Sequence, residues 1–241
     1  MKISRKRRRQ WIGFGVGILA TAIAYTILSL KSNEDMLSLG PMNTGHEELS
    51  CESCHTSAKG NIFQQLQANV MFTFGMRKTE ADFGTENVDT NKCLECHDRE
   101  NDRHPLHRFK ETRFTEARKN LGHEGQVECE SCHTEHNGVR VTQANIGYCE
   151  NCHSDTNLNN DPLEISHEEL IEKKMWSTCL QCHDFHGNHT FHAAESMKDT
   201  IPISTVRAYF DGGKTPYSDI KKYYPLKEEE WQAGKRGARQ K

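Results

Sequence analysis

Ten cysteines in 241 residues fall as five Cys-x-x-Cys pairs with none left over, and a histidine follows every pair directly. The five are CESCH (51–55), CLECH (93–97), CESCH (129–133), CENCH (149–153) and CLQCH (179–183). Cys-x-x-Cys alone is used by zinc knuckles, redox-active dithiols and disulfide frameworks, none of which requires histidine at the fifth position. With 14 histidines in the chain, five coincidences at that position have odds of about one in a million, so the spacing points to covalent c-type haem attachment. In that chemistry the thiols of Cys51 and Cys54, Cys93 and Cys96, Cys129 and Cys132, Cys149 and Cys152, and Cys179 and Cys182 add to porphyrin vinyl groups as thioethers. His55, His97, His133, His153 and His183 are then held under the iron as proximal ligands.

A haem iron takes a sixth ligand or leaves that position open. Nine histidines remain once the proximal five are set aside: His46, His104, His107, His123, His136, His167, His186, His189 and His192. Nine candidates for five positions make bis-histidine coordination the default, which favours low potentials. A histidine three residues after the proximal one starts on the same side of the porphyrin, with only about 10 Å of extended chain to pass the macrocycle edge. His136 and His186 are of this kind, so each is expected to serve a neighbouring haem. His46, His123 and His167 lie upstream of a motif and are less restricted. The expected order is His46, His123 and His167 first, then one of His104 and His107, then one of His136 and His186. Met42, Met71, Met76, Met175 and Met197 are alternative ligands that read better as packing residues.

In CLQCHDFHGNHTFH (179–192) the histidines recur every three residues. Gly187 and Asn188 interrupt any helix there, so a discrete four-histidine metal site is disfavoured. His183 is proximal, His186 is best placed to reach a neighbouring haem, and His189 and His192 are substitutes or surplus.

Elements must position these residues in a chain with only 34% hydrophobic residues, part of them in one N-terminal run. Covalent haems answer the thin core by supplying buried apolar surface. The expected fold is mostly α with much irregular coil, a single transmembrane helix followed by a cytochrome domain organised around five covalently attached haem c groups. Residues 1–10 form a basic cytoplasmic segment with six Lys or Arg, and 11–30 are twenty uncharged residues, long enough to span a bilayer. Ala22-Ile23-Ala24 supplies the competing reading, a cleaved signal peptide, but the apolar run continues to Leu30. Residues 31–200 form the haem domain, outside the inner membrane in the periplasm, and 201–241 a haem-free C-terminal arm with a short terminal helix.

Ile62, Phe63, Leu66, Val70 and Phe74 form a helical stripe within 61–76, expected to pack on haem or on the membrane surface near the anchor, with plain core packing favoured. Residues 103–120 are basic, and their second half reads as helix. Beyond the first ten residues the chain holds 25 basic and 34 acidic residues, a net charge of −9. That balance argues against nucleic acid and is compatible with docking on a basic protein surface.

The upstream-histidine pattern GHEELSCESCH and the stretch CESCHTEHNG resemble inner-membrane-anchored multihaem cytochromes of bacterial anaerobic respiration, the haem stretch being most similar to class III cytochrome c3. The single anchor resembles the quinol dehydrogenases of the NapC/NirT family. That resemblance implies electrons drawn from the quinol pool or a membrane dehydrogenase and passed to a periplasmic redox protein or reductase. The chain departs from that family in having five motifs rather than four, and in following the first motif with TSAKG rather than a methionine ligand. The expected function is therefore a tethered electron relay, with quinol dehydrogenase activity of its own left open. A second reading is a multihaem reductase of a small nitrogen or sulfur oxyanion with one open haem, against which stands the absence of any Cys-x-x-Cys-Lys motif. A third is a haem-bearing docking subunit of a larger membrane complex.

Overall fold

The computed structural model describes residues 4–28, 30, 33, 36, 38–109, 111, 112, 114, 116, 119 and 128–238. His123 and most of the basic stretch expected to form a helix before it lie outside the described residues. The chain divides into two compact units, Met1–Pro41 and Met42–Lys241.

The first unit contains helix α1, Arg5–Leu28. It starts six residues earlier than the uncharged run, taking the basic segment into the helix. At about 1.5 Å per residue its 24 residues reach roughly 36 Å, more than the hydrocarbon thickness of a bilayer. None of its residues is buried, and by length and composition it can cross a membrane.

The second unit is built of short helices and irregular coil. Among its described residues, pairing between extended segments is confined to two isolated bridges, Ser57 with Thr85 and His189 with Lys221. Local sequence explains where the helices begin. Helix α2 (Ile62–Thr73) opens on a capping box: Asn61 Oδ1 accepts from the Phe63 and Gln64 amides, while Gln64 Oε1 accepts from the Asn61 amide. Asp89 caps α3 (Thr90–His97) and Ser166 caps α4 (His167–Glu172). Pro202, with its fixed φ and missing donor, precedes α5 (Ile203–Phe210). Helix α6 spans Glu228–Ala238 and carries three glutamates in its first turn, where the helix dipole favours negative charge.

The side-chain core is small. Ile146, Leu180 and Val206 are buried together, with Tyr148, Phe185, Ile201, Ile203 and Phe210 packed around them. Val206 comes from the haem-free C-terminal segment, so 201–241 contributes to the core as well as lying over the motifs. Tyr217 donates to the Leu180 carbonyl, Tyr223 donates to the Cys96 carbonyl, and the Leu226 amide bonds the same oxygen.

The apolar stripe of α2 is not in the core. Phe63, Leu66, Val70 and Phe74 are all exposed, and the buried residue of the helix is Gln65. The expected packing was wrong because periodicity reports that a helix has two faces, not which face the rest of the chain can hold.

Candidate haem-ligand network

Each attachment motif is close to one helical turn. The amides of His55, His133, His153 and His183 bond the carbonyl of the first cysteine of their own motif, at 2.8 to 3.0 Å. The second motif lies at the end of α3. Residues three and four apart share a helix face, so this turn presents both thiols and the imidazole on one side. None of the ten cysteines is in a disulfide. Among the described residues no group of three or more His, Cys, Asp or Glu side chains is gathered for a metal ion.

The histidines instead come in twos. His55 lies beside His136 with ring centres 6.3 Å apart, His97 beside His46 at 5.9 Å, and His133 beside His186 at 6.2 Å. His153 lies beside His104 at 6.0 Å and His183 beside His167 at 6.1 Å. Every pair joins one motif histidine to one histidine outside the motifs. A metal–imidazole bond of about 2 Å on each side, plus about 1.1 Å from nitrogen to ring centre, sums to roughly 6.2 Å. The spacing matches that of two imidazoles facing one metal ion, and it recurs once for each of the five motif histidines.

The outer ring nitrogens are engaged in a manner that suits ligation. Nδ1 of His46 bonds Glu135 Oε1 at 2.5 Å, that of His167 bonds Asp161 Oδ2 at 2.9 Å, and that of His186 bonds Asp102 Oδ1 at 3.2 Å. Backbone carbonyls serve His104 (Phe185, 2.5 Å) and His133 (Arg140, 2.7 Å). A hydrogen placed on Nδ1 leaves the Nε2 lone pair directed away from the acceptor, which is how proteins orient metal-binding imidazoles. Burial lowers the basicity of His104 and His133, keeping those rings neutral at pH 7. The hydrogen bond to Glu135 raises that of His46. Burial opposes ionisation of Asp102, but the hydrogen bond and charge of His186 outweigh it and hold the carboxyl at about 2.

Backbone conformation explains why the histidines three residues after a motif turn elsewhere. His136 has φ +64°, a left-handed residue that reverses the chain and sets it beside His55. After His186 the reversal falls to Gly187, φ +68°, where an added Cβ would lie 2.8 Å from Arg103 Cδ. The Arg103 amide and the Arg99 guanidinium both bond the His186 carbonyl, fixing that ligand candidate from across the chain.

The remaining histidines have other surroundings. His189 is buried, with its amide and Nδ1 both bonded to Asp184 Oδ2 at 2.8 and 3.0 Å, and it stacks on Tyr217. His192 is exposed and His107 half-buried, and neither is in one of the five pairs.

The motifs also meet one another. Cys93 lies close enough to Cys129, and Cys149 to Cys179, for the thiols to perturb each other, the first of each pair pushed up and the second down. A cavity of about 540 Å³ is lined by Cys149, Cys152, His153 and His104 together with Cys179, Cys182, His183 and His167. Its remaining walls are largely apolar, among them Leu106, Leu170, Ile171 and Trp176. Paired thiols, facing imidazoles and an apolar cavity in one place fit a flat apolar macrocycle attached at its edge.

Sequence reasoning missed the acceptors behind the ligand candidates. Asp161 stands six residues before His167, but Glu135 and Asp102 are 89 and 84 residues from the rings they hold, with no local signal.

Residues 77–154 match the family model of cytochrome c3, a span holding the second, third and fourth motifs. No curated protein and no solved structure matches the chain. The family match supports a multihaem c-type cytochrome, carrying covalent haem c and serving electron transfer.

Proposed function

We propose that this chain is a five-haem relay, tethered to the bacterial inner membrane by α1 with its second unit in the periplasm, and that all five irons are held by two histidines. The observation that carries the reading is the set of five ring pairs near 6 Å, each uniting a motif histidine with a histidine from elsewhere. Haem c supplies a one-electron iron couple whose potential bis-histidine ligation draws down.

In this reading His136 faces His55, His46 faces His97, His186 faces His133, His104 faces His153 and His167 faces His183. The acceptors on Nδ1 of His46, His104, His133, His167 and His186 hold those rings so that neither oxidation state requires them to move. With every motif histidine matched, a relay is favoured over a reductase with an open site. The proximity of Cys93 to Cys129 and of Cys149 to Cys179 supports transfer between the second and third motifs and between the fourth and fifth, two of the four steps of such a relay. Electrons would enter from the quinol pool or a membrane dehydrogenase and leave to a periplasmic redox protein or reductase. Reducing the detergent-solubilised protein with a quinol analogue alone separates the two donors.

Electron paramagnetic resonance of the oxidised holoprotein tests the ligand set. The wild type should give low-spin ferric signals only. His136→Ala, His46→Ala, His186→Ala, His104→Ala and His167→Ala should each convert one haem in five to high spin, whereas His107→Ala and His192→Ala should leave the spectrum unchanged. A high-spin haem in the wild type would reinstate the reductase reading, and a high-spin signal from His107→Ala would break the assignment.

A further inference from the structure

Helix α2 is amphipathic the wrong way round for a protein surface. Phe63, Leu66, Val70 and Phe74 occupy about 80° of arc at 100° per residue, and their exposures are 79%, 54%, 45% and 73%. Met76, just beyond the helix, is 66% exposed.

Polar side chains hold the helix to its own unit. Gln65 Nε2 donates to the carbonyls of Ala58 and Gly60 at 3.2 and 3.1 Å, and its Oε1 accepts from the Gly84 amide at 3.0 Å. Asn69 bonds both the amide and the carbonyl of Ala81, at 2.7 and 2.9 Å. Rotating the helix to bury the stripe would break all of these bonds and strand a buried amide, so the outward orientation is built in.

Charge identifies what the stripe meets. From Ser53 to Thr79 there is no acidic residue, while Lys59 lies before α2 and Arg77 and Lys78 lie after it. This contrasts with the net −9 of the chain beyond its first ten residues. An apolar stripe flanked by cations at both ends matches the interface of a bilayer with anionic headgroups. Two-fold pairing of the stripe with a second copy would instead set three positive charges against the same three.

We propose that α2 lies in the membrane–water interface, with Phe63, Leu66, Val70 and Phe74 in the acyl boundary and Lys59, Arg77 and Lys78 at anionic phosphates. The proposal rests on the membrane-tether reading of α1 for the identity of the bilayer. It gives the haem unit a second point of attachment beside its first motif.

The test uses the full-length haem-loaded protein in vesicles of phosphatidylcholine and phosphatidylglycerol. Five covalent haems, as proposed above, consume all ten native cysteines, so an added cysteine carries the only spin label; labelling of the unsubstituted protein is the control. Labels on Phe63→Cys, Phe74→Cys, Glu172→Cys as a water control and Ile18→Cys as an anchor control are compared for collision with oxygen and with a water-soluble nickel chelate. The expected oxygen-to-nickel ratio at positions 63 and 74 exceeds that at 172 by about threefold or more, because oxygen concentrates in the acyl region and the chelate is excluded from it. A ratio at both positions equal to that at 172 overturns the proposal. Loss of access to both reagents also overturns it, because the stripe is then covered by haem, a protein partner or a second copy. A water-like ratio at position 18 overturns the tether and not the surface contact.

Discussion

The first and fifth motifs are the same five-residue chemistry set in opposite surroundings. Around the fifth, Leu180 is 2% exposed and packs on Val206 and Ile146, Cys182 is buried, and Gln181 donates to the Ile201 carbonyl. Around the first, Cys51 is exposed, no residue of its helical turn is buried, and polar groups do the holding: Ser50 and Ser53 both donate to Glu228 of α6. One end of the molecule is organised by side-chain packing. The other is strapped by hydrogen bonds and relies on outside surfaces, haem and in our proposal lipid, for apolar contact. The buried cluster of Ile146, Leu180 and Val206 gathers around the fifth motif rather than being shared among all five.

The largest effect should come from breaking the packed end. Leu180→Ala is expected to cost about 3 kcal/mol, as truncation of a buried leucine does when its site cannot collapse, and to appear as a marked fall in the thermal midpoint of the holoprotein. A loss no greater than that from surface substitutions would mean that haem alone supports both ends.

The next effect separates the two ends by potential. The His167 ring of the fifth-motif pair is backed by the Asp161 carboxylate, whereas Nδ1 of His55 in the first-motif pair is buried without a hydrogen-bond partner among the described residues. An anionic acceptor makes imidazole a stronger donor and stabilises ferric iron. Asp161→Asn keeps an accepting oxygen and removes the charge, so on the proposed ligand set the haem of the fifth motif should become easier to reduce by up to tenfold, about 59 mV for a one-electron couple. Spectroelectrochemical titration reads that shift. Five unchanged potentials would deny Asp161 any tuning role.

The smallest effect belongs to the strapped end. Glu228→Gln keeps an acceptor for Ser50 and Ser53 and removes its charge, costing less than about 1 kcal/mol for a site so open to water. Protease sensitivity of α6 should rise while the midpoint set by the Leu180 cluster stays put. A large fall in that midpoint would erase the distinction between the ends. The C-terminal segment is also a poor subject for a docking test by deletion, because removing residues 201–241 removes Val206 from the core along with any partner surface.

What could be read in the sequence was what local spacing dictates. Two thiols and an imidazole within five residues form one turn, and Asn61, Asp89 and Ser166 cap the helices that follow them, because these interactions close over three or four residues. The sequence also showed that His136 and His186 could not easily return to their own motifs. It could not choose His104 over His107, admit both His136 and His186, or find Glu135 and Asp102 behind their rings. His55 and His136 are 81 residues apart and His104 and Phe185 the same distance. Contacts of that range depend on how the whole coil closes, on a left-handed His136 and a Gly187 pressed by Arg103. The stripe of α2 divides the same way: its periodicity is local, but its outward face was decided by where Gln65 and Asn69 found partners.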